Sequence, residues 1–187
     1  MAKAIIKRPG GKVAGFTLLE VLVAVVVLSI GLLGLASLQV NGLRFSHSAY
    51  LRSQATALAY ELADRMRANS PGLASYNTPT TTPLLALVPA CRTFSTNGCT
   101  PAQMAQNDVA EWQRALANDP ANGLNGLLPN GQGVVCRDTT NPPATADDGT
   151  PAAPACDGGP TWVIKIWWDD NRTGDPTQFQ RLVVAPF

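Results

Sequence analysis

Lysine all but vanishes from this 187-residue chain after its first fifteen residues. Lys3, Lys7, Arg8 and Lys12 precede Gly15, and Lys165 is the one lysine beyond it. Of 14 Lys and Arg, ten therefore remain to face all 13 Asp and Glu, a balance of −3. So weak a positive field argues against a nucleic-acid binder that relies on bulk charge, and no nucleic-acid partner is expected. Histidine is nearly missing as well, with His47 alone. Without a nucleophile elbow or an acid pair in an evident cleft, no reaction class can be assembled. The chain reads as a non-enzyme with no cofactor. No Cys-x-x-Cys pair occurs, which removes the commonest zinc spacing. The length admits one ordinary domain plus an extension.

Charge is absent altogether from Val21 to Leu43, and apolar residues stay dense to about Leu38. About 20 such residues carry a helix across the hydrocarbon core. Valines form helices poorly in water, but lipid forces the backbone to pair within the segment and overrides that preference. Four basic residues precede the run and only Arg44 and Arg52 follow closely. The positive-inside tendency therefore puts the N-terminus in the cytoplasm and everything after Leu43 outside. A secretory signal peptide fits less well. Its apolar core spans about 7–15 residues with a small-residue cleavage site behind it, whereas here Gly15 stands in front of a longer run.

The helical pattern outlasts the apolar run. After Asn41-Gly42, the residues Leu51, Ala55, Leu58, Leu62 and Met66 recur at three- and four-residue steps until Ser70-Pro71-Gly72. Phe16 to Asn69 reads as one near-continuous helix, with Gly31, Gly34 and Gly42 as places for bending. Residues 16–43 are apolar all round, and 44–69 are amphipathic and need a globular domain to lie against.

At the head of that helix stands KVAGFTLLEVLVA, residues 12–24. A basic leader ending in glycine, then Phe-Thr-Leu-Leu-Glu opening a membrane-length helix, resembles the class III signal of type IV pilins and pseudopilins. The resemblance implies that a prepilin peptidase removes leader 1–15 by cutting after Gly15, and that the new N-terminal amine, on Phe16, is methylated. It also gives Glu20 a role. A charge within a spanning helix usually has a partner, and in pilin assembly that partner is the terminal amine of a neighbouring subunit. The plainer reading of Glu20 is an acid near a helix N-terminus, favoured by the dipole. SIGLLGLASLQ at 29–39, ELADRMRAN at 61–69, DVAEWQRALA at 108–117 and LPNGQGVV at 128–135 are similar to the PilV branch, the type IV pilus modification proteins.

Beyond the helix, residues 70–187 read as an exported α+β head of pilin type. Residues 70–100 are rich in Pro, Thr and Ser and read as loop, with a short turn near Leu84–Leu87. Thr100-Pro101 opens a helix, on which Met104, Val109, Trp112 and Leu116 recur near helical spacing, and Asn118-Asp119-Pro120 closes it. Trp112 is expected to pack rather than bind a ligand. Three strands come next. They are VVCRD at 134–138, TWVIKIWWDD at 161–170 and QFQRLVVAPF at 178–187. In the second, Trp162, Ile164, Ile166 and Trp168 share one face, and Val163, Lys165 and Trp167 the other. Laid antiparallel on the long helix, the three would bury their apolar faces. Residues 138–160 are too polar and proline-rich for core and read as a surface excursion.

All four cysteines, Cys91, Cys99, Cys136 and Cys156, lie after the apolar run, where an oxidising compartment preserves disulfides. Four cysteines permit three pairings. Short loops favour Cys91 with Cys99 and Cys136 with Cys156, and a structural zinc is the rival reading. Asp169, Asn171, Thr173, Gly174 and Asp175 imitate the first half of an EF-hand loop, but Gln180 stands where a bidentate Glu belongs and Arg172 sits amid the ligands. A solvated hairpin turn fits better, so no metal is expected.

The functional expectation comes from the resemblance. It is a minor pilin of PilV type that joins initiation and assembly of the type IV pilus in a tip-proximal complex. Its partners would be the prepilin peptidase, other minor pilins, the major pilin and a tip adhesin. It would reside in the inner membrane and then in the pilus at the cell surface. Two rivals stand beside it: a minor pseudopilin of a type II secretion system, and a non-polymerising single-pass protein with a ligand-binding head. A mere membrane anchor needs neither Gly15 nor Glu20.

Overall fold

The computed structural model describes residues 15–93, 98–119, 124–139, 149–171, 173–175 and 179–186. Leader residues 1–14 and Arg172 thus lie outside the described residues, as does most of the expected excursion before residue 149. The chain forms two units, Met1–Phe45 and Ser46–Phe187.

In the first unit the only regular element among the described residues is α1, which runs unbroken from Leu18 to Ala68 and so continues into the second. The helix is long and apolar enough to cross a membrane. Sixteen large apolar side chains between Leu18 and Leu43 are half or more exposed, and none is buried. α1 keeps its helical structure through Gly31, Gly34 and Gly42, the expected places for bending or local loosening. A β-carbon at any of them would meet nothing within 4 Å, so no packing among the described residues calls for a glycine there.

The second unit is built where α1 turns amphipathic. Leu51, Ala55, Leu58, Ala59, Leu62, Ala63 and Met66 are its buried face, the expected five joined by two alanines that complete the stripe. Past Ala68 the chain does not go straight to loop. Pro71, whose fixed φ suits a first helical turn, lies in a 3-10 helix from Ser70 to Tyr76. The turn expected at 84–87 is replaced by α2, Pro89–Arg92, again with proline at its start.

Helix α3, Pro101–Leu116, begins with a capping box. Thr100 Oγ1 accepts from the Gln103 amide and the Gln103 side chain accepts from the Thr100 amide. Val109, Trp112 and Leu116 are buried, but Met104 is 40% exposed and Ala105 takes its place. Residues 105, 109, 112 and 116 follow steps of four and three, and Met104 lies one position, about 100° of helical turn, off that stripe. Trp112 spans the core and donates through Nε1 to the Leu58 carbonyl of α1 at 3.0 Å.

Two sheets among the described residues complete the unit. A small one, unforeseen, has the order β2-β1-β3 and is made of β1 Ala117–Asp119, β2 Leu124–Asn125 and β3 Leu128–Pro129. The larger has the order β4-β5-β6, with β4 Gln132–Asp138, β5 Thr161–Trp168 and β6 Gln180–Val184, antiparallel throughout. Trp162, Ile164, Ile166 and Trp168 join α1 and α3 in the main core. The sheet presses close to α3 at Gly133, where a β-carbon would sit 2.4 Å from the Trp112 ring. The opposite face packs Val134, Cys136, Val163 and Trp167 into a second core. The described part of the expected excursion is mostly exposed, and it packs Cys156 against that second core.

Candidate functional site

The site with the most chemistry on it is the start of α1. Thr17 precedes the first helical residue and caps the helix. Its Oγ1 accepts from the Glu20 amide at 3.2 Å, and its carbonyl accepts from the Glu20 and Val21 amides at 3.0 and 3.3 Å. Threonine suits that place because its oxygen satisfies an amide that has no partner within the helix. Glu20 therefore stands in the first turn, where the helix dipole favours an anion. Glu20 is exposed, as are Gly15 and Phe16.

A β-carbon on Gly15 would meet nothing within 4 Å among the described residues. Packing among the described residues thus gives no reason for glycine at 15. The same holds for the surface beyond Glu20. Burying each leucine or valine is worth about 1.5–3 kcal/mol, and between Leu18 and Leu43 all that stabilisation is left for lipid or for other helices.

The remaining candidates are structural. Disulfides join Cys91 to Cys99, with Cα atoms 4.9 Å apart, and Cys136 to Cys156 at 6.0 Å. The first ties α2 to the residue preceding the Thr100 cap, and the second ties β4 to the segment leading into β5. In the calcium-like turn, Asp169 is buried and its Oδ2 accepts from the Gly174 amide at 2.6 Å and from Asn130 Nδ2 at 3.5 Å. Its carboxylate holds the turn together. Gln180 begins β6. No cluster of three or more metal-binding side chains occurs among the described residues. His47 is an exposed residue of α1.

One arrangement had no sequence signal. Tyr76 is fully buried and donates through Oη to Asp108 Oδ2 at 2.5 Å. Asp108 also meets Arg65 Nη1 at 3.3 Å, and the same guanidinium reaches Glu111 at 3.2 Å and Glu61 at 2.7 Å. Burial, reinforced by the bond to Asp108, pushes the Tyr76 phenol well above its ordinary range. Apart from Glu61, the partners lie 32 to 46 positions apart in the chain, a separation that no periodicity connects.

Two family models match the chain. Residues 11–36 match the prokaryotic N-terminal methylation motif, and residues 37–110 match the family described as Type IV pilin Tt1218. No curated protein and no solved structure matches it.

Proposed function

With a type IV pilin domain and its N-terminal methylation motif in place, we propose that the chain is a minor pilin of PilV type. It would take part in initiating and assembling the pilus from a tip-proximal complex. The observation that carries this reading is the first unit: sixteen exposed apolar side chains from Leu18 to Leu43, with one exposed carboxylate, Glu20, among them and inside the methylation-motif match at 11–36. A helix that only crosses a membrane has no need of Glu20. A helix that moves from lipid into a bundle of its own kind gains from it, since a neighbour's terminal amine neutralises the charge away from water.

In this reading prepilin peptidase cuts after Gly15 on the cytoplasmic side and the Phe16 amine is methylated. The N-terminus stays cytoplasmic and the second unit is exported. Other minor pilins and the major pilin dock along α1, and a tip adhesin is the further partner. ELADRMRAN at 61–69, which pointed to PilV rather than to a type II secretion pseudopilin, also contributes Leu62, Ala63 and Met66 to the core. Packing explains those three residues. The branch therefore rests on the other stretches.

Mass spectrometry of the mature chain tests the reading. The expected product begins at N-methylated Phe16, and an intact Met1 start in cells with active prepilin peptidase refutes it. Recovery of the chain in sheared pili, and not with a secretion apparatus, separates the pilus from the pseudopilin.

A further inference from the structure

On the second face of the β4-β5-β6 sheet, Val134, Cys136, Val163 and Trp167 pack around one buried ammonium, that of Lys165. Lys165 lies between Val163 and Trp167 on β5 and is 1% exposed. Its ammonium uses all three of its protons on oxygen. Nζ donates to Asp138 Oδ2 at 2.8 Å and to the carbonyls of Pro154 and Ala155 at 3.0 Å each. Asp138 comes from β4, and the two carbonyls come from residues 149–157, which cross over the sheet. A buried ammonium is costly unless fully partnered, so Lys165 requires that crossing segment to be in place.

Among the described residues, further hydrogen bonds attach the segment. Trp167 Nε1 donates to the Gly149 carbonyl at 3.3 Å, Thr81 Oγ1 donates to the Pro151 carbonyl at 2.9 Å, and the Gly158 amide donates to the Arg137 carbonyl at 2.9 Å. Asp157 accepts from the Thr139 amide at 2.7 Å. The one covalent tie is Cys136–Cys156. Beside it, Ala155 has φ +53°, a left-handed conformation that alanine avoids. Gly149 at φ +75° and Gly158 at +81° bracket the segment, each free to turn the chain where an L side chain would be strained.

We infer that residues 149–157 are a disulfide-latched strap, which seats over the second sheet face only while Cys136–Cys156 is closed and Lys165 holds the Pro154 and Ala155 carbonyls. When the latch opens, the left-handed Ala155 relaxes, the strap lifts about its two glycines, and Trp167, Val163 and Val134 meet water while the main core stays folded. The second core is thereby completed only in a compartment that permits disulfides. The strap is independent of the assembly role of α1.

Hydrogen–deuterium exchange on the full chain in detergent, with and without dithiothreitol, tests it. Two thiol–disulfide exchanges transfer two electrons and two protons to Cys136 and Cys156, and the reagent leaves as its cyclic disulfide. On reduction, exchange at the Gly158 and Thr139 amides should rise at least tenfold while α1 from 51 to 66 and α3 keep their protection. A Cys136→Ser/Cys156→Ser double variant should match the reduced protein. A Cys91→Ser/Cys99→Ser variant should leave the strap closed. Lys165→Met should loosen the strap with its disulfide intact. Unchanged exchange in the reduced strap overturns the inference. So does a uniform rise through α1 and α3, which would make the disulfide a staple of the whole fold.

Discussion

Replacing Glu20 with alanine separates the two jobs that α1 can perform. In the isolated chain the carboxylate is exposed, and the contact at that turn is the backbone cap from Thr17 to the Glu20 amide, which alanine preserves. The helix loses at most the dipole interaction, about 0.3–1 kcal/mol. Insertion becomes easier, because a charge is removed from an apolar segment. Cleavage after Gly15 should survive, since the changed side chain is not at the scissile bond. In a packed bundle the result is different. There the Phe16 amine of a neighbour would lose its counter-charge, and breaking a buried pair costs about 3–5 kcal/mol. Incorporation would fall by more than about a hundredfold. The assay compares the subunit in sheared pili with that in membranes, for Glu20→Ala beside the charge-retaining Glu20→Asp. The alanine variant should accumulate processed but unassembled, with pili scarce if the subunit helps initiate them. Normal incorporation would refute the pairing argument and leave Glu20 as an ordinary first-turn acid.

The head yields two further predictions. Leu62 is fully buried and Tyr60, two residues away, is 53% exposed, so Leu62→Ala should cost about 2–5 kcal/mol and Tyr60→Ala under about 0.5 kcal/mol. Denaturant unfolding of the full chain in detergent measures both, and equal losses would contradict the assignment of the buried face. Tyr76→Phe removes the hydroxyl from Asp108 and should cost about 1.5–3 kcal/mol near neutral pH. The folded state raises the Tyr76 pKa above its ordinary 10.0, so its contribution is complete below pH 10 and is lost as pH rises beyond that, where the unfolded chain releases its proton first. Stability of the native chain should therefore fall more steeply above pH 10 than that of Tyr76→Phe, and parallel alkaline profiles would count against the Tyr76–Asp108 bond.

Local pattern was enough for the elements that obey it. The three- and four-residue steps from Leu51 to Met66 specify a helix face whatever lies opposite, and the α1 face follows them. Alternation along 161–168 specifies a strand and its two faces, and the cores divide Trp162, Ile164, Ile166 and Trp168 from Val163 and Trp167. Thr100-Pro101 carries its own helix start, as the capping box at Thr100 and Gln103 records. At α1, FTLLE can be read in the sequence because both the cap and the family resemblance depend only on neighbours in the chain.

Tertiary structure decided what depends on distant partners. Strands of two or three residues are too short to show alternation, so β1, β2 and β3 were invisible, and pairing alone makes them strands. Met104 lost its place to Ala105 because its stripe is set by where α1 and the sheet lie. Arg65, Tyr76 and Asp108 became one network only when α1, the 3-10 helix and α3 converged. Lys165 shows the limit most clearly. Sequence alone can assign a lysine to one side of a strand. Whether that side is wet depends on a segment ten residues away, and only the folded chain brings the Pro154 and Ala155 carbonyls and Asp138 around its ammonium.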